Sequence, residues 1–158
     1  MFYPTLRHPK FQRLQTFFAF HIFMDDKEHL IQLEQGTASM NIEEIREYCL
    51  SKPGVTESLP FNDTALVFKV VKMFAVLDLS EDSRGLTLKC DPERAIELRE
   101  QHPEVTPAWH FNKQHWNGVN LEGSVGDDLL KEWIDHSYTI VVDSLPRSKR
   151  EALNSGTY

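Results

Sequence analysis

Ala65-Leu66-Val67-Phe68-Lys69-Val70, Met73-Phe74-Ala75-Val76-Leu77-Asp78-Leu79 and Leu86-Thr87-Leu88-Lys89-Cys90 are the three runs that decide the fold. Each is rich in aliphatic, β-branched or aromatic residues and has the length of a strand. Val71-Lys72 separates the first from the second, and Asp82-Ser83-Arg84-Gly85 makes a turn before the third. Three short strands with such tight connections imply an antiparallel meander.

Working outward, Asn41 caps a helix with Glu44 at N3, an approximate capping box, and Glu43, Glu44 and Glu47 match the positive helix terminus. Ile42, Ile45 and Cys49 recur at helical spacing as its buried stripe, and Lys52-Pro53-Gly54 ends it. After the meander, Asp91-Pro92 opens a second helix with Ala95, Leu98 and His102 along one face, closed by Pro103. Residues 109–112 and 117–121 are then expected as two more strands flanking a turn at 113–116. A last helix starts at Ser124 or Asp127 and carries the stripe Leu130, Trp133, Ile134, Ser137, Tyr138 and Val141. Thr139-Ile140-Val141-Val142 argues locally for a strand, but the helical period outweighs it. Pro146 stops this helix before a small basic tail of Arg147, Lys149 and Arg150. The order helix, three strands, helix, two strands, helix reads as an α+β domain: an antiparallel sheet packed against helices.

The 158 residues suit one such domain, and 41% hydrophobic with 26% charged residues is ordinary for a soluble globular chain. Net charge is −7, which counts against extensive phosphate contact but leaves room for a local basic patch. Cys49 and Cys90 are too few and isolated for a disulfide framework or a metal motif, and read as buried reduced thiols. Residues 1–39 differ from the rest: Arg7, Lys10, Arg13 and Lys27 balance Asp25, Asp26, Glu28 and Glu34, so the negative charge lies after Ser39. The apolar run Phe17-Phe18-Ala19-Phe20-His21-Ile22-Phe23-Met24 is too short to span a bilayer and lacks a cleavage site, so neither a signal peptide nor a membrane anchor is expected. Gly36-Thr37-Ala38-Ser39 reads as a linker, and the expectation is that 1–39 is an extension, with Met40 as a candidate natural start.

Trp109-His110-Phe111-Asn112-Lys113-Gln114-His115-Trp116-Asn117 mixes large aromatics with hydrogen-bonding groups more densely than any other window. Asn112, Lys113, His115, Trp116 and Trp109, with Lys89, are the candidate contact residues: cation, amide and stacking faces suit a nucleic acid or another conjugated anionic ligand. Lys69, Lys72 and Arg99 would extend the patch. Trp116 is expected to be buried, with Lys113 over its edge. His110 and His115 lack the third and fourth ligands zinc needs, and Glu43, Glu44 and Glu47 read as a solvated helix face. No nucleophile elbow or phosphate-cradling glycine loop is present, and His136, Ser137 and Tyr138 point apart on a helix, so no catalytic residue and no cofactor is assigned.

Lys52-Pro53-Gly54, Phe74-Ala75, Leu88-Lys89-Cys90-Asp91-Pro92-Glu93, Leu98-Arg99, Asn112-Lys113-x-His115-Trp116 and Asp135-His136-Ser137-Tyr138 resemble the MmcQ/YjbR family over about residues 40–150. Many members carry a glycine in the first hairpin turn, where this chain has Val70-Val71-Lys72. The resemblance implies a small cytoplasmic bacterial protein with a CyaY-like (frataxin-like) sandwich, and DNA binding through a double-wing-like surface. The expected organisation is an extension at 1–39, the domain at 40–150 and a tail at 151–158. The expected role is non-enzymatic binding with DNA as partner and no membrane association. The alternative is a small-ligand or protein-interaction module, with enzyme and metal-binding roles less favoured.

Overall fold

The computed structural model describes residues 40–80 and 84–156. The extension at 1–39 and most of the turn at Asp82-Ser83 therefore lie outside the described residues. Helix α1 spans Ile42–Leu50, and its capping box is complete: the Asn41 side chain accepts from the Glu44 N–H, and the Glu44 carboxylate accepts from the Asn41 N–H. Gly54 takes the left-handed conformation with φ 69, the exit that a glycine after Lys52-Pro53 supplies.

Strands β1 (Thr56–Ser58), β2 (Ala65–Val70), β3 (Lys72–Asp78) and β4 (Gly85–Lys89) precede helix α2 (Pro92–Gln101). Strands β5 (Val105–Pro107) and β6 (Trp116–Asn120), then helices α3 (Asp127–Asp143) and α4 (Arg147–Asn154), complete the order. The six strands form one antiparallel sheet in the order β1-β2-β3-β4-β6-β5. The meander and the α+β class are as the sequence implies.

Three elements differ from expectation. Residues 109–112 are not a strand; the partner of β6 lies earlier, with Val105 opposite Val119 and Pro107 opposite Asn117. Pro107 has no N–H to donate, which an edge strand tolerates, whereas the Asn112 side chain accepts from the Gln114 N–H and turns the later backbone out of the sheet. Strand β1 is short and polar, so it carries no hydrophobic period; the Arg46–Glu57 ion pair ties it to α1. The C-terminal segment is helical rather than a tail, and Leu153 joins the core.

The core lies between α1, α3 and one sheet face. Leu66, Phe68, Leu77, Leu86, Leu88 and Val119 pack there against Ile45, Leu130, Trp133, Ile134 and Val141. A register shift assists: Phe68 pairs with Ala75 and Lys69 with Met73, so Phe74 is the extra residue of a β-bulge. Phe74 and Ala75 are both fully buried as a result. Val67, Val76 and Trp116 are also buried but stay outside this core, because strand alternation places them on the other face. Val71, at the tip of the β2–β3 hairpin, has φ 60, a conformation that β-branched residues rarely adopt.

Candidate functional site

The 108–115 loop leaves the sheet after β5 and returns to it at Trp116. The sheet closes its base: the Ala108 N–H donates to the Trp116 carbonyl at 3.2 Å, and the Cys90 N–H to the His115 carbonyl at 2.8 Å. Within it, Asn112 holds a tight turn, its carbonyl accepting from the His115 N–H at 3.0 Å and its side chain from the Gln114 N–H at 3.0 Å. From α2, Arg99 reaches in and donates to the Lys113 carbonyl and, at 2.7 Å, to the Asn117 side chain. Asn117 is buried and donates onward to the Ala95 carbonyl at 3.3 Å. The loop is thus fixed from both ends and from the helix.

This frame sorts the candidate residues into two groups. Asn112, His115, Trp116 and Lys89 line one open groove of about 410 Å³, with Asp91 and Ile140 on its other walls. Trp116 forms a buried wall, its ring 5.0 Å from Phe111 and 5.9 Å from the Lys89 ammonium. Trp109 and Lys113 are not brought into that groove. Trp109 is 82% exposed, and the Lys113 ammonium sits 5.4 Å from its ring. Lysine 113 therefore covers Trp109 rather than Trp116, which is instead met by Lys89. Nor is Arg99 free to extend a basic patch, because its guanidinium is spent on the loop. Lys72 lies near the Ser144 hydroxyl, at 3.4 Å.

Neighbouring groups are tuned toward inertness. Burial raises the Cys90 thiol above its ordinary range and pushes Cys49 up to about 12, so both are poor nucleophiles at neutral pH. Burial, then the nearby Arg94 charge, lowers the His136 imidazole, whose Nε2 accepts from the Asp91 N–H at 3.5 Å. Among the described residues, no three His, Cys, Asp or Glu side chains are grouped to hold a metal ion. His110 and His115 line different grooves. Of the three acidic residues on α1, Glu44 serves the cap and Glu43 pairs with Arg46 at 2.7 Å.

The motif on α3 is structural. The fully buried Ser137 hydroxyl donates to the Phe74 carbonyl at 2.6 Å and accepts from the Lys89 N–H at 2.8 Å. Tyr138 packs edge-on against Phe74 at 5.6 Å and donates to the Pro53 carbonyl at 2.8 Å. Lys52 pairs with Asp135 and lies 4.2 Å from the Tyr48 ring. These contacts join the Lys52-Pro53-Gly54 turn, β3 and β4 to α3, and fix the start of the groove at Lys89. Sequence reasoning missed the Arg99–Asn117 clamp; a buried asparagine inside a strand is the signal that points to it. Among the described residues no helix is long and apolar enough to cross a membrane.

Comparison with known proteins agrees with the motifs. The YjbR family model matches residues 50–140. YjbR of Escherichia coli K12 is 39% identical over 115 residues, 72% of this chain and 98% of that protein. YbdF of Escherichia coli O157:H7 is 30% identical over 118 residues, covering 72% of this chain and 94% of its own. The crystal structure of Deinococcus radiodurans DR2400 superposes with TM-score 0.70 at 37% identity, over 75% of this chain and 91% of that one. A Pseudomonas syringae protein of known crystal structure gives TM-score 0.57 at 26% identity, over 65% and 99%. With the family model spanning more than half of its length, the chain belongs to the YjbR family.

Proposed function

We propose that the chain is a non-enzymatic module that binds DNA through the 108–115 loop. One observation carries this: Trp109 stands 82% exposed with a lysine ammonium 5.4 Å from its ring. An indole left in water forgoes the burial that large aromatics usually gain, which marks it as a contact group. Stacking on a base contributes about 1–3 kcal/mol, and Lys113 supplies a charge for the adjacent phosphate. The local charge agrees, because residues 105–121 contain no Asp or Glu although the whole chain is at −7. Helices packed on one face of an antiparallel sheet support a CyaY-like reading of the fold. Two buried unpaired thiols support a cytoplasmic location.

The test is salt-dependent binding of fluorescein-labelled duplex and single-stranded DNA to the wild type, Lys113→Ala and Trp109→Ala. Both substitutions are expected to weaken binding, and Lys113→Ala to lower the salt slope by about 1. No binding at low salt overturns the DNA reading; binding that neither substitution affects removes the loop as its site. A second reading rests on the 410 Å³ groove, where Lys89, Asn112, His115 and Trp116 offer cation, amide and aromatic edge to a small anionic ligand. Saturable binding of a small aromatic carboxylate, lost in Lys89→Ala, would favour that reading over DNA.

A further inference from the structure

Phe61 is 65% exposed on the loop leading into β2, a strand whose Leu66 and Phe68 face the core. Together with His110 and Phe111 it lines an open groove of about 530 Å³ on the other face. Its floor is made of short side chains, Ala65, Val76 and Thr87, over which a flat ring can lie. Both flanking loops are held by asparagine. Asn62 Oδ1 accepts from the Thr64 N–H at 3.0 Å and the Ala65 N–H at 2.7 Å, as Asn112 Oδ1 does from Gln114 in the facing loop. Preset walls of this kind lose little entropy when a ring enters between them.

Charge on this face is graded along the strands. Alternation puts Lys69 of β2 and Lys89 of β4 on the side opposite Phe68 and Leu88, which belong to the core. Lys89 lies two residues beyond Thr87 on the same face, about 7 Å along the strand. At the other end, Asp78 accepts from the Ser80 N–H at 2.9 Å and contributes the groove's carboxylate. A polyanion with free ring faces fits this gradient if its phosphates run past the lysines and its rings enter between Phe61 and Phe111. Duplex DNA keeps its base faces stacked on one another, so only an unpaired strand offers them.

We propose that the ligand is single-stranded DNA laid across the sheet face opposite the core, with a base in the groove against Phe61 and Phe111 and phosphates at Lys69 and Lys89. This rests on the DNA reading of the neighbouring loop and narrows it. The experiment compares a fluorescein-labelled 12-mer of thymidine with a 12-base-pair duplex at low salt, using the full chain and its Phe61→Ala, Phe61→Trp and Lys69→Ala variants. The wild type is expected to bind the single strand at least about tenfold tighter than the duplex. Phe61→Ala should weaken the single strand about tenfold and leave the duplex unchanged, Phe61→Trp should retain binding, and Lys69→Ala should weaken the single strand. Phe61 is exposed, so thermal melting of Phe61→Ala should match the wild type. Equal or tighter duplex binding, or single-strand binding indifferent to Phe61→Ala, overturns the single-strand proposal while leaving the loop's DNA role standing. Failure to bind either oligonucleotide overturns both.

Discussion

The Ser137 hydroxyl donates to the Phe74 carbonyl at 2.6 Å, and Phe74 is the bulged residue of β3. A bulge leaves a backbone group without its ladder partner, and here a helix side chain supplies the missing donor. The same oxygen accepts from the Lys89 N–H of β4, so one hydroxyl joins two strands to α3. Ser137→Ala would leave the buried Phe74 carbonyl and the half-buried Lys89 N–H without this partner. The expected loss is about 2 kcal/mol or more, read as a lower urea midpoint at unchanged slope. A shift below about 0.5 kcal/mol would show that the bond contributes little.

Much of the element order was legible because its signals are local. Asn41 with Glu44 and Asp91 with Pro92 mark helix starts, and the helical period from Leu130 to Val141 outweighs the β-branched run at 139–142. The places where local reading failed are those where a distant group decides. The aromatic content of Trp109-His110-Phe111 looks like strand, yet the Asn112 turn and the Arg99 clamp hold those residues outside the sheet. Strand β1 exists through pairing with β2 and the Arg46–Glu57 bridge, neither of which has a sequence period. Four of the six candidate contact residues share one groove, because a strand pair, Lys89 opposite Trp116, brings two distant motifs together. That pairing is not readable from spacing alone.

Arg99 acts on the loop from behind. Its guanidinium holds the Lys113 carbonyl and the buried Asn117 side chain, so Arg99→Ala should loosen the turn and leave a buried amide under-satisfied. A stability loss of about 1–3 kcal/mol is expected, with faster amide hydrogen exchange at His115 and Cys90 than at β2. Arg99→Lys should recover only part, since one ammonium cannot reproduce the fork. Unchanged exchange at His115 would remove Arg99 as the loop's anchor.

His136 makes stability depend on pH on the acid side. Burial lowers its folded-state affinity for protons below the ordinary value of 6.5, and its Nε2 acts as an acceptor for the Asp91 N–H, a role that needs the neutral ring. The unfolded chain therefore takes up the proton first. The contribution is fully present above about pH 6.5 and is lost as pH falls through the folded-state value, by at most about 1.4 kcal/mol per pH unit. Partial exposure of the ring makes the real slope smaller. His136→Gln, neutral throughout, should flatten the decline in urea midpoint between about pH 6.5 and pH 5 relative to the wild type. Parallel curves for the two proteins would rule this histidine out as the cause.

Val71 holds a left-handed backbone, φ 60, at the tip of the β2–β3 hairpin and is 45% exposed. Its β-carbon branches make that conformation costly, by about 1–2 kcal/mol for an ordinary side chain. Little burial compensates, and the flanking pair Val70–Lys72 fixes the turn too tightly for the residue to relax. Asparagine enters this region with less penalty and, unlike glycine, adds little freedom to the unfolded chain. Val71→Asn should therefore stabilise the domain by about 1 kcal/mol, with Val71→Gly gaining less, and Val71→Ile no better than the wild type. Thermal melts of the three variants check the order. If asparagine proved no more stable than valine, the hairpin tip would have to hold its left-handed turn without strain, against the steric limits on β-branched residues.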